Sequence, residues 1–575
     1  MKNGIHDTNL SSYSQLTAPV DRYTHSLVST FLEILWEWRS DLRATYDLTS
    51  YSGAFRFLAW WLQWGIGNYR VLQDFGVSTA AAEQLFAMVQ APEGAILDRY
   101  PIFFLELHAV DAALQRDFPL GADGKPCPQF CEWIVNWGAT SFHLSGFSEN
   151  SPAFCLIRAE NSRFSELNWL QHVALLKSGL LNDAIACMAP TSAIDQANEI
   201  LKLPEWNPVG TTPIQSTPLI ETDSRLNLFG VPSQHIGIGE DARLMHEVCE
   251  LAGVTVNDVD RSKLRNIKKS NLNLFCLPAP DVVSTLVSLP VNFIDGAYNI
   301  ASCPWELPVW PESLEFVLKF FDEIWVHSVF VERSIPASYR GKVRLFPLPV
   351  TVERSSTLKR VDFGLPETDF LFFTSFDFSS ALPRKNPMAT IEAFKKAFAG
   401  FNNVRLVIKT NSSRLHPERR AWLETFVNDP RITVIDQFLS KADLHALYQS
   451  CDCFVSLHRA EGFGRNIAES MLLNRPVVVT DYSGNQDFCT SETAYLVPFK
   501  IIPLKGEDYI FSRGQFWAEP DVNAAAEILK TVMKDASRRK KITAAAQVLI
   551  STRYSLSASA TALRELLASQ VSFDP

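Results

Sequence analysis

The sequence predicts an α/β protein in which two parallel sheets follow a mostly helical N-terminal extension. Short apolar runs alternate with amphipathic helices in two blocks, at about 225–345 and 360–550. Such alternation predicts parallel sheets covered on both faces. The first 200 residues instead carry apolar side chains at helical spacing. With 575 residues, the chain has room for three or four domains of roughly 150 residues each.

Composition excludes several classes of protein. Lys and Arg number 53 against 63 Asp and Glu, and the resulting net charge of −10 disfavours a nucleic-acid binder. Hydrophobic residues make up 47% and charged residues 20%, which excludes a mainly disordered or collagen-like chain. The ten cysteines have no zinc-site spacing, so we expect free thiols. Because we find neither a signal peptide nor a long apolar run, we expect a cytoplasmic protein without a transmembrane span.

Residues 1–202 are the predicted helical extension. Phe31 and Leu35 recur at helical spacing, as do Trp60 and Trp64. The tryptophans favour a helix–helix core, while a carbohydrate platform and a membrane-interface belt stay open as alternatives. The role of this extension is not apparent from its sequence.

Residues 203–223 are predicted to be a linker. They hold four prolines, and proline lacks an amide donor and disfavours helix in the residue before it. Beyond the linker we assign residues 224–350 to a first Rossmann-like domain and 351–555 to a second. Residues 556–575 are assigned to a C-terminal helix that could cross back and brace the first domain.

The elements of the two blocks follow from their apolar runs and helical periodicity. Predicted strands of the first block lie at 226–229, 273–277, 291–294 and 323–326, and a predicted helix lies at 241–251. Predicted strands of the second block lie at 369–375, 404–409, 432–435, 453–457 and 477–480. Its predicted helices lie at 389–398, 417–427 and 441–449.

The most informative motif lies at residues 451–474, where an apolar strand leads through a loop into a helix. Ligands bind beyond the carboxyl ends of parallel strands, and a helix N-terminus offers free amides to an anion. Gly462 and Gly464 allow the backbone to approach a ligand closely. The motif therefore predicts a phosphate site with a carboxylate at each end, Glu461 and Glu469. Alternatively, Glu469 caps its own helix and Glu461 is a solvated loop acid.

The pattern Glu461-x7-Glu469 encloses Gly-Phe-Gly and is followed by Arg-Pro-Val-Val-Val-Thr at 475–480 and Tyr-Ser-Gly-Asn at 482–485. These features resemble the donor site of glycosyltransferase family 4 (group 1), whose members are retaining enzymes. The resemblance covers residues 225–555 approximately. It implies a GT-B fold, which consists of two Rossmann-like domains facing a cleft. It also implies sugar transfer from a nucleotide-diphosphate sugar to a glycan or lipid-linked saccharide.

The resemblance also implies roles for single residues. Glu461 would accept hydrogen bonds from donor-sugar hydroxyls, and Glu469 would accept them from the ribose, which suits ionised carboxylates. The residues whose amides would contact the sugar and diphosphate are Gly462, Phe463, Gly464 and Arg465.

Arg384 and Lys385 follow the first strand of the second block. Two cations beside a departing diphosphate would neutralise its growing charge. The family places a Lys at the position of Lys385, but its Arg often lies earlier, where this chain has Phe-Asp at 376–377. Arg384 or Lys409 could supply that second cation. We assign Lys385, Arg384 and Glu461 to catalysis and Lys409 to donor binding; a solvated helix-entry pair is the alternative for the first two.

Gly237-Ile-Gly239 formally matches the dinucleotide pattern G-x-G-x-x-A. About six residues separate it from the preceding strand, whereas a dinucleotide turn is tight. We therefore expect Gly237 and Gly239 to lie in a loop that contacts the donor phosphates, as the resemblance implies; an NAD-binding turn and a plain loop are the alternatives. Trp305 and Glu306 lie in a loop expected to face the acceptor, where acceptor binding or proton relay by Glu306 competes with simple packing of Trp305.

No Asp-x-Asp follows a predicted strand, so we expect neither a metal nor another cofactor. Basic runs at 261–269 and 538–541 could contact an anionic membrane, or be solvated helix faces. The resemblance implies that the partners are a nucleotide sugar and a saccharide acceptor, and that the setting is bacterial surface-polysaccharide assembly. An inactive sugar-nucleotide-binding scaffold and a GT-B-shaped hydrolase or phosphorylase stay open as alternatives.

Overall fold

The structure of this chain is a computed structural model. It describes residues 19–20, 22–65, 76–122, 124–144, 167–178, 190–202, 222–232, 237–260, 267–289, 293–294, 296–506 and 508–571. The chain divides into two compact units, residues 1–220 with 283–293 and residues 221–282 with 294–575. Within the described residues, no helix is both long and apolar enough to span a membrane.

The first unit is mostly helical, as the sequence predicts. Phe55, Phe57 and Trp61 are fully buried and form a core, whereas Trp64 and Trp137 are 61% and 66% exposed. Its helices are Thr30–Trp38, Ser40–Thr45, Tyr51–Trp60, Thr79–Leu85, Ile102–Val110, Ala112–Asp117, Gln129–Trp133, Ala139–Ser141, Trp169–Lys177 and Pro190–Leu201. Its π-helical turns are Trp61–Gly65 and Ile134–Gly138, and its antiparallel strands are β1 (Met88–Gln90) and β2 (Arg99–Pro101).

The first parallel sheet lies in the second unit. Its strands are β3 (Thr222–Gly230), β4 (Val256–Asp260), β5 (Lys269–Phe275), β6 (Tyr298–Ser302), β7 (Glu323–Val326) and β8 (Lys342–Leu345). They lie side by side in the order β4-β3-β5-β6-β7-β8. The helices of this domain are Gly237–Ala252, Glu312–Leu314 (a 3₁₀ turn), Glu315–Leu318 and Val329–Ser334. The helix Ala279–Ser288 begins in this unit, and its residues from 283 onward are counted with the first unit. Since β3 begins at Thr222, the last two residues of the predicted linker belong to a strand, and residues 203–221 lie outside the described part.

An asparagine ladder crosses four strands of this sheet. Asn257 donates to Asn227 at 2.8 Å, Asn227 to Asn273 at 3.1 Å, and Asn273 to Asn299 at 2.8 Å. The amide of Asn299 donates in turn to the carbonyl oxygen of Ile294 at 3.0 Å. The ladder thus satisfies the polar groups of side chains that the sheet largely buries.

The second parallel sheet has the order β11-β10-β9-β12-β13-β14. Its strands are β9 (Phe370–Ser375), β10 (Val404–Thr410), β11 (Ile432–Asp436), β12 (Cys453–Ser456), β13 (Val477–Thr480) and β14 (Tyr495–Val497). An antiparallel ribbon, β15 (Phe499–Pro503) and β16 (Phe516–Pro520), follows. The helices of this second domain are Leu382–Lys385, Pro387–Ala397, Pro417–Glu424, Lys441–Ser450, Arg465–Leu472, Val522–Lys534 and Ala536–Arg553. Its 3₁₀ turns are Arg360–Phe363, Ser413–Leu415 and Gly484–Asp487.

Both faces of the second sheet are covered. Neighbouring residues of β9 point to opposite faces, and Phe372 belongs to one hydrophobic core while Phe373 belongs to the other. The terminal helix Leu556–Val571 packs Leu563 into the core of the first sheet, and Ser559 donates to the carbonyl oxygen of Pro347 at 2.7 Å. Two Rossmann-like domains in one unit confirm the predicted GT-B fold class.

One predicted strand is wrong and several edge strands were not predicted. Phe293 and Ile294, which end the predicted strand at 291–294, lie in a turn; residues 290–292 lie outside the described part. The strand is Tyr298–Ser302 instead. At the sheet edges, Val256–Asp260 and Lys342–Leu345 carry polar and charged side chains, because edge strands need no continuous apolar run.

Candidate functional site

Two predicted motifs meet at the middle of the second sheet. In the order β11-β10-β9-β12-β13-β14, the direction in which strands are added reverses between β9 and β12. Ligands of doubly wound sheets bind at such a switch point, beyond the carboxyl ends of the strands. Arg384 and Lys385 follow β9, and Glu461 follows β12. The fold therefore brings all three predicted catalytic side chains to one crevice.

Glu461 is a buried carboxylate that forms ion pairs with two cations. Nζ of Lys385 lies 2.5 Å from Oε1, and Nη1 of Arg384 lies 3.0 Å from Oε2. Burial by itself raises the pKa of Glu461, but the charges of Arg384 and Lys385 outweigh burial and lower this pKa to about 2. Glu461 is therefore ionised at neutral pH and is not a solvated loop acid.

Arg384 joins Glu461 to a second carboxylate. Its Nη2 lies 2.9 Å from Oε1 of Glu306, and its Nη1 donates to the carbonyl oxygen of Ala460 at 2.9 Å. Only 5% of the Arg384 side chain is exposed, so Arg384 does not belong to a solvated helix-entry pair. Burial opposes the charge of Arg384, but Glu306 and Glu461 raise the pKa of its guanidinium above the ordinary value.

Backbone geometry places the two cations in the crevice. The short helix Leu382–Lys385 ends at Asn386, whose left-handed φ of 49° turns the chain into the helix Pro387–Ala397. Among the described residues, Nε of Arg384 and Nδ2 of Asn386 are buried donors without a hydrogen-bond partner. Because buried donors are usually paired, these two unpaired donors are exceptions that need a partner.

The glycines of the Glu461 loop are fixed by close packing. A Cβ on Gly462 would overlap the carbonyl oxygen of Trp305, and a Cβ on Gly484 would overlap that of Gly462. Ser328 donates to the carbonyl oxygen of Gly462 at 2.6 Å. Gly464 has a left-handed φ of 96° and directly precedes the helix Arg465–Leu472, whose first amides have no side-chain cap. An anion could bind to these amides.

Glu469 lies within the helix Arg465–Leu472 and does not cap it. Gly464 occupies the N-cap position and no side chain bonds to the first turn, so the capping alternative is wrong. The carboxylate is buried, and its Oε2 lies 3.8 Å from Nε2 of His445. Phe463, by contrast, packs its ring against Phe488 and Tyr554.

The segment of Gly237 and Gly239 differs from the expectation. Both glycines lie in the first turns of the helix Gly237–Ala252 rather than in a loop; residues 233–236 lie outside the described part. Two acids follow in this helix, where the helix dipole favours negative charge. The two ion pairs that they make with the second domain are Glu240–Lys441 and Asp241–Arg465.

Lys409 lies at the end of β10 and is buried. Its Nζ donates to the carbonyl oxygens of Thr410 at 2.6 Å and of Gln437 at 2.7 Å. Burial lowers the pKa of Lys409 to about 8. Through these bonds Lys409 holds the chain segment after β11, whereas Arg384 and Lys385 are the cations that contact Glu461.

Trp305 is buried, and its indole nitrogen donates to the carbonyl oxygen of Val309 at 3.1 Å. The ring packs against Trp310, as expected for a structural residue. His327 and His458 are also buried, and both ring nitrogens of each lie within hydrogen-bond distance of protein atoms. These contacts favour structural roles for the two histidines.

The sequence analysis missed Tyr509, which completes the cluster. This tyrosine lies between β15 and β16, and its hydroxyl donates to Oε2 of Glu306. Burial and the charge of Glu306 raise the pKa of Tyr509 well above its ordinary value. No motif surrounds Tyr509, so only the three-dimensional contact identifies it. In the described part of the chain, no His, Cys, Asp and Glu side chains are grouped as a metal site requires.

Comparison with known proteins finds one family profile. The profile of "Glycosyl transferases group 1" matches residues 357–548, which include β9 to β16 and the Glu461 crevice. A comparison with curated proteins finds no match.

Several solved structures are similar to this chain. HepE of Anabaena in complex with UDP and glucose is 14% identical, with a TM-score of 0.45 over 60% of this chain and 100% of HepE. Sucrose-phosphate synthase of Thermosynechococcus elongatus is 16% identical, with a TM-score of 0.47 over 61% and 100% of the two chains. A glycosyltransferase of Rickettsia africae is 15% identical, with a TM-score of 0.46 over 61% and 100%.

Proposed function

We propose that this chain is a retaining glycosyltransferase that moves a sugar from a nucleotide-diphosphate sugar to a saccharide acceptor. The observation that carries the proposal is the ion-pair cluster of Lys385 with the buried Arg384 and Glu461 at the switch point of the second sheet. This crevice lies inside the segment that matches the profile of group 1 glycosyl transferases.

The donor would bind with its diphosphate between the two cations and the N-terminus of the helix Arg465–Leu472. Anions are favoured at such a terminus. A phosphate oxygen could also accept a hydrogen bond from the unpaired Nε–H of Arg384. The ionised Glu461 would accept hydrogen bonds from the sugar hydroxyls. Glu469 would accept them from the ribose.

The charge balance of the cluster suits a departing diphosphate. Without substrate, the charges of Arg384 and Lys385 are matched by those of Glu461 and Glu306. As the bond between sugar and phosphate breaks, negative charge grows on the phosphate oxygen, and Lys385 can redirect its hydrogen bond from Glu461 to that oxygen. Stabilising charge only as it develops accelerates the chemical step. We propose that the reaction needs no metal ion.

We propose attack from the face that the phosphate leaves. The acceptor hydroxyl forms a bond to the anomeric carbon as the phosphate oxygen departs, and that oxygen takes the hydroxyl proton. The anomeric configuration is thereby retained. Glu306 lies beside Arg384 and would orient the acceptor.

The acceptor would be a glycan or a lipid-linked saccharide of bacterial surface-polysaccharide assembly. A cytoplasmic enzyme at the inner face of the membrane suits such an acceptor. The basic run at 538–541 lies on the helix Ala536–Arg553 and could contact anionic lipid there. The run at 261–269 lies largely outside the described residues.

The test is a binding and turnover screen of the full chain with nucleotide sugars, free nucleotides and NAD. We expect one nucleotide sugar to raise the melting temperature, because a ligand at a hundredfold excess over its Kd stabilises by about 2.7 kcal/mol. Glu469→Ala should abolish that shift, and a saccharide acceptor should permit transfer. Binding without transfer to any acceptor would favour the scaffold, and sugar release without an acceptor would favour a hydrolase.

A further inference from the structure

We propose that His445 is a positioning residue that aims Glu469 at the ribose of the nucleotide. The proposal rests on the proposed function, because it concerns the same donor site. It assigns a task to a side chain outside the glycine-rich motif, on the helix Lys441–Ser450.

The tautomer of His445 follows from one hydrogen bond. The backbone amide of Glu353 donates to Nδ1 of His445 at 2.8 Å. A ring nitrogen that accepts a hydrogen bond from an amide N–H cannot itself carry a proton. Since a neutral imidazole bears one proton, that proton must lie on Nε2, and His445 presents an N–H donor on its opposite side.

That donor lies beside the carboxylate of Glu469. Nε2 of His445 lies 3.8 Å from Oε2 of Glu469, which is too long for a hydrogen bond. Among the described residues, this buried Nε2 has no hydrogen-bond partner. His445 is 0% exposed and Glu469 is 6% exposed. An unpaired buried donor beside a buried carboxylate costs free energy, which a small movement of Glu469 would remove.

The helix that carries His445 is fixed to the second sheet. Tyr448, one turn further on, packs its ring 4.4 Å from that of Phe373 and also contacts Phe454. The imidazole of His445 meets the ring of Tyr448 edge-on at 5.9 Å. Burial and the nearby charge of Glu469 raise the pKa of Tyr448, so the charged carboxylate faces a wall of neutral groups. Because the rings of His445 and Tyr448 are packed against the core, we expect Glu469 to make the movement that closes the gap.

Ligand binding would complete the arrangement. One carboxylate oxygen of Glu469 would accept hydrogen bonds from the ribose hydroxyls. The other would accept a hydrogen bond of normal length from Nε2–H of His445. Hydrogen bonds of functional sites are often long in the free protein and shorten in the complex. The ribose and His445 would thus bind to Glu469 cooperatively.

Two variants of His445 separate this role from simple packing. His445→Asn keeps an acceptor near Nδ1 for the amide of Glu353 but removes the donor toward Glu469. His445→Gln carries an amide donor to about the position of Nε2 and is the matched control. Calorimetry would measure the Kd of UDP, GDP and ADP for the full chain, and then of the 2′,3′-dideoxy form of the tightest binder.

We expect His445→Asn to bind the ribonucleotide about tenfold more weakly, which corresponds to one hydrogen bond to a charged group. The dideoxy nucleotide should bind to wild type and to His445→Asn alike, and His445→Gln should retain ribose-dependent binding. An equal loss for both nucleotides, or no loss at all, would overturn the proposal. If wild type itself does not distinguish the two nucleotides, or Glu469→Gln leaves the distinction intact, the ribose role of Glu469 fails first.

A second measurement covers the case that the variants do not fold. In wild type labelled with ¹⁵N-histidine, His445 should show a neutral ring with its proton on Nε2. Addition of the ribonucleotide should shift that proton, and the dideoxy nucleotide should not. A proton on Nδ1, or the same shift with both nucleotides, would contradict the proposal.

Discussion

Arg384 donates to Oε2 of Glu461 across 3.0 Å, and both side chains are buried. This ion pair joins the segments that follow β9 and β12, and these two strands are neighbours in the second sheet. It also extends to the first domain, because the same guanidinium contacts Glu306. One side chain therefore links the predicted donor and acceptor sides of the crevice.

Arg384→Met should strongly destabilise the protein. The substitution leaves Glu461 as a buried charge with one cation fewer, which typically costs about 3–5 kcal/mol, and it removes the partner of the partly exposed Glu306. Denaturant unfolding would measure the change. Arg420→Met removes an exposed ion pair with Glu424 and a longer one of 3.8 Å with Asp436, and should cost less than about 1 kcal/mol. Equal unfolding free energies for the two variants would contradict the structural role of Arg384.

Lys385→Ala should reduce kcat about 100- to 1,000-fold, because it removes a positive charge from the departing phosphate. The fold should remain intact, since Lys385 is partly exposed. Steady-state kinetics with the donor identified by the screen would test this. Lys396→Ala, on the surface of the following helix, serves as the control and should leave kcat unchanged. A near wild-type kcat for Lys385→Ala would refute a role in diphosphate stabilisation.

Gly462→Ala should destabilise the protein and impair donor binding. The new methyl group would overlap the carbonyl oxygen of Trp305, and overpacking of this kind costs about 1–3 kcal/mol. Gly506→Ala is the matched control, because a Cβ there meets open space. Melting temperatures and donor affinities of both variants would be compared. A Gly462→Ala variant that behaves like Gly506→Ala would mean that the loop moves freely.

The acid stability of the protein should depend on Glu461. Its pKa falls from an ordinary 4.5 to about 2, so the folded state binds fewer protons than the unfolded state between these values. The stabilisation is fully present above pH 4.5 and is lost as the pH falls toward 2. Unfolding free energies of wild type and Glu461→Gln should therefore converge in that window. Parallel curves across it would show that Glu461 is not stabilised as a charged group.

Lys409 should produce a slope of the same sign at alkaline pH, because burial disfavours its charged form in the folded state. Burial lowers its pKa from 10.5 to about 8, so the unfolded state binds more protons between these values. The free energy of unfolding should rise with pH from 8 toward 10.5. Lys409→Met should lack this slope in urea titrations at several pH values. If wild type and variant show the same slope, Lys409 does not titrate as a buried amine.

The part of the site that was predictable depends on local patterns. Glu461 and Lys385 follow strands that are evident from apolar runs, and the carboxyl ends of parallel strands share one sheet edge. The contacts of Glu306 could not be predicted in this way, because Arg384 and Tyr509 lie far away in sequence and no spacing rule relates them.

Gly237 and Gly239 were expected in a loop but lie in a helix, and local charges favour that helix. Glycines before a helix predict a loop, but the acids Glu240 and Asp241 favour a helix N-terminus. Their partners Lys441 and Arg465 come from the second domain. These cations lie far from the helix in sequence, so their contribution could not be predicted. The helix begins at Gly237, four residues before its predicted start.

The asparagine ladder of the first sheet guards against strand slippage. The apolar side chains of neighbouring strands are similar enough that a shifted pairing would still bury a core. A slip of one residue would turn Asn227 or Asn273 to the other face, and each buried amide left without a partner costs about 1–3 kcal/mol. The four hydrogen-bonded asparagines thus favour the native strand register. They raise the free energy of shifted registers that hydrophobic burial alone would tolerate.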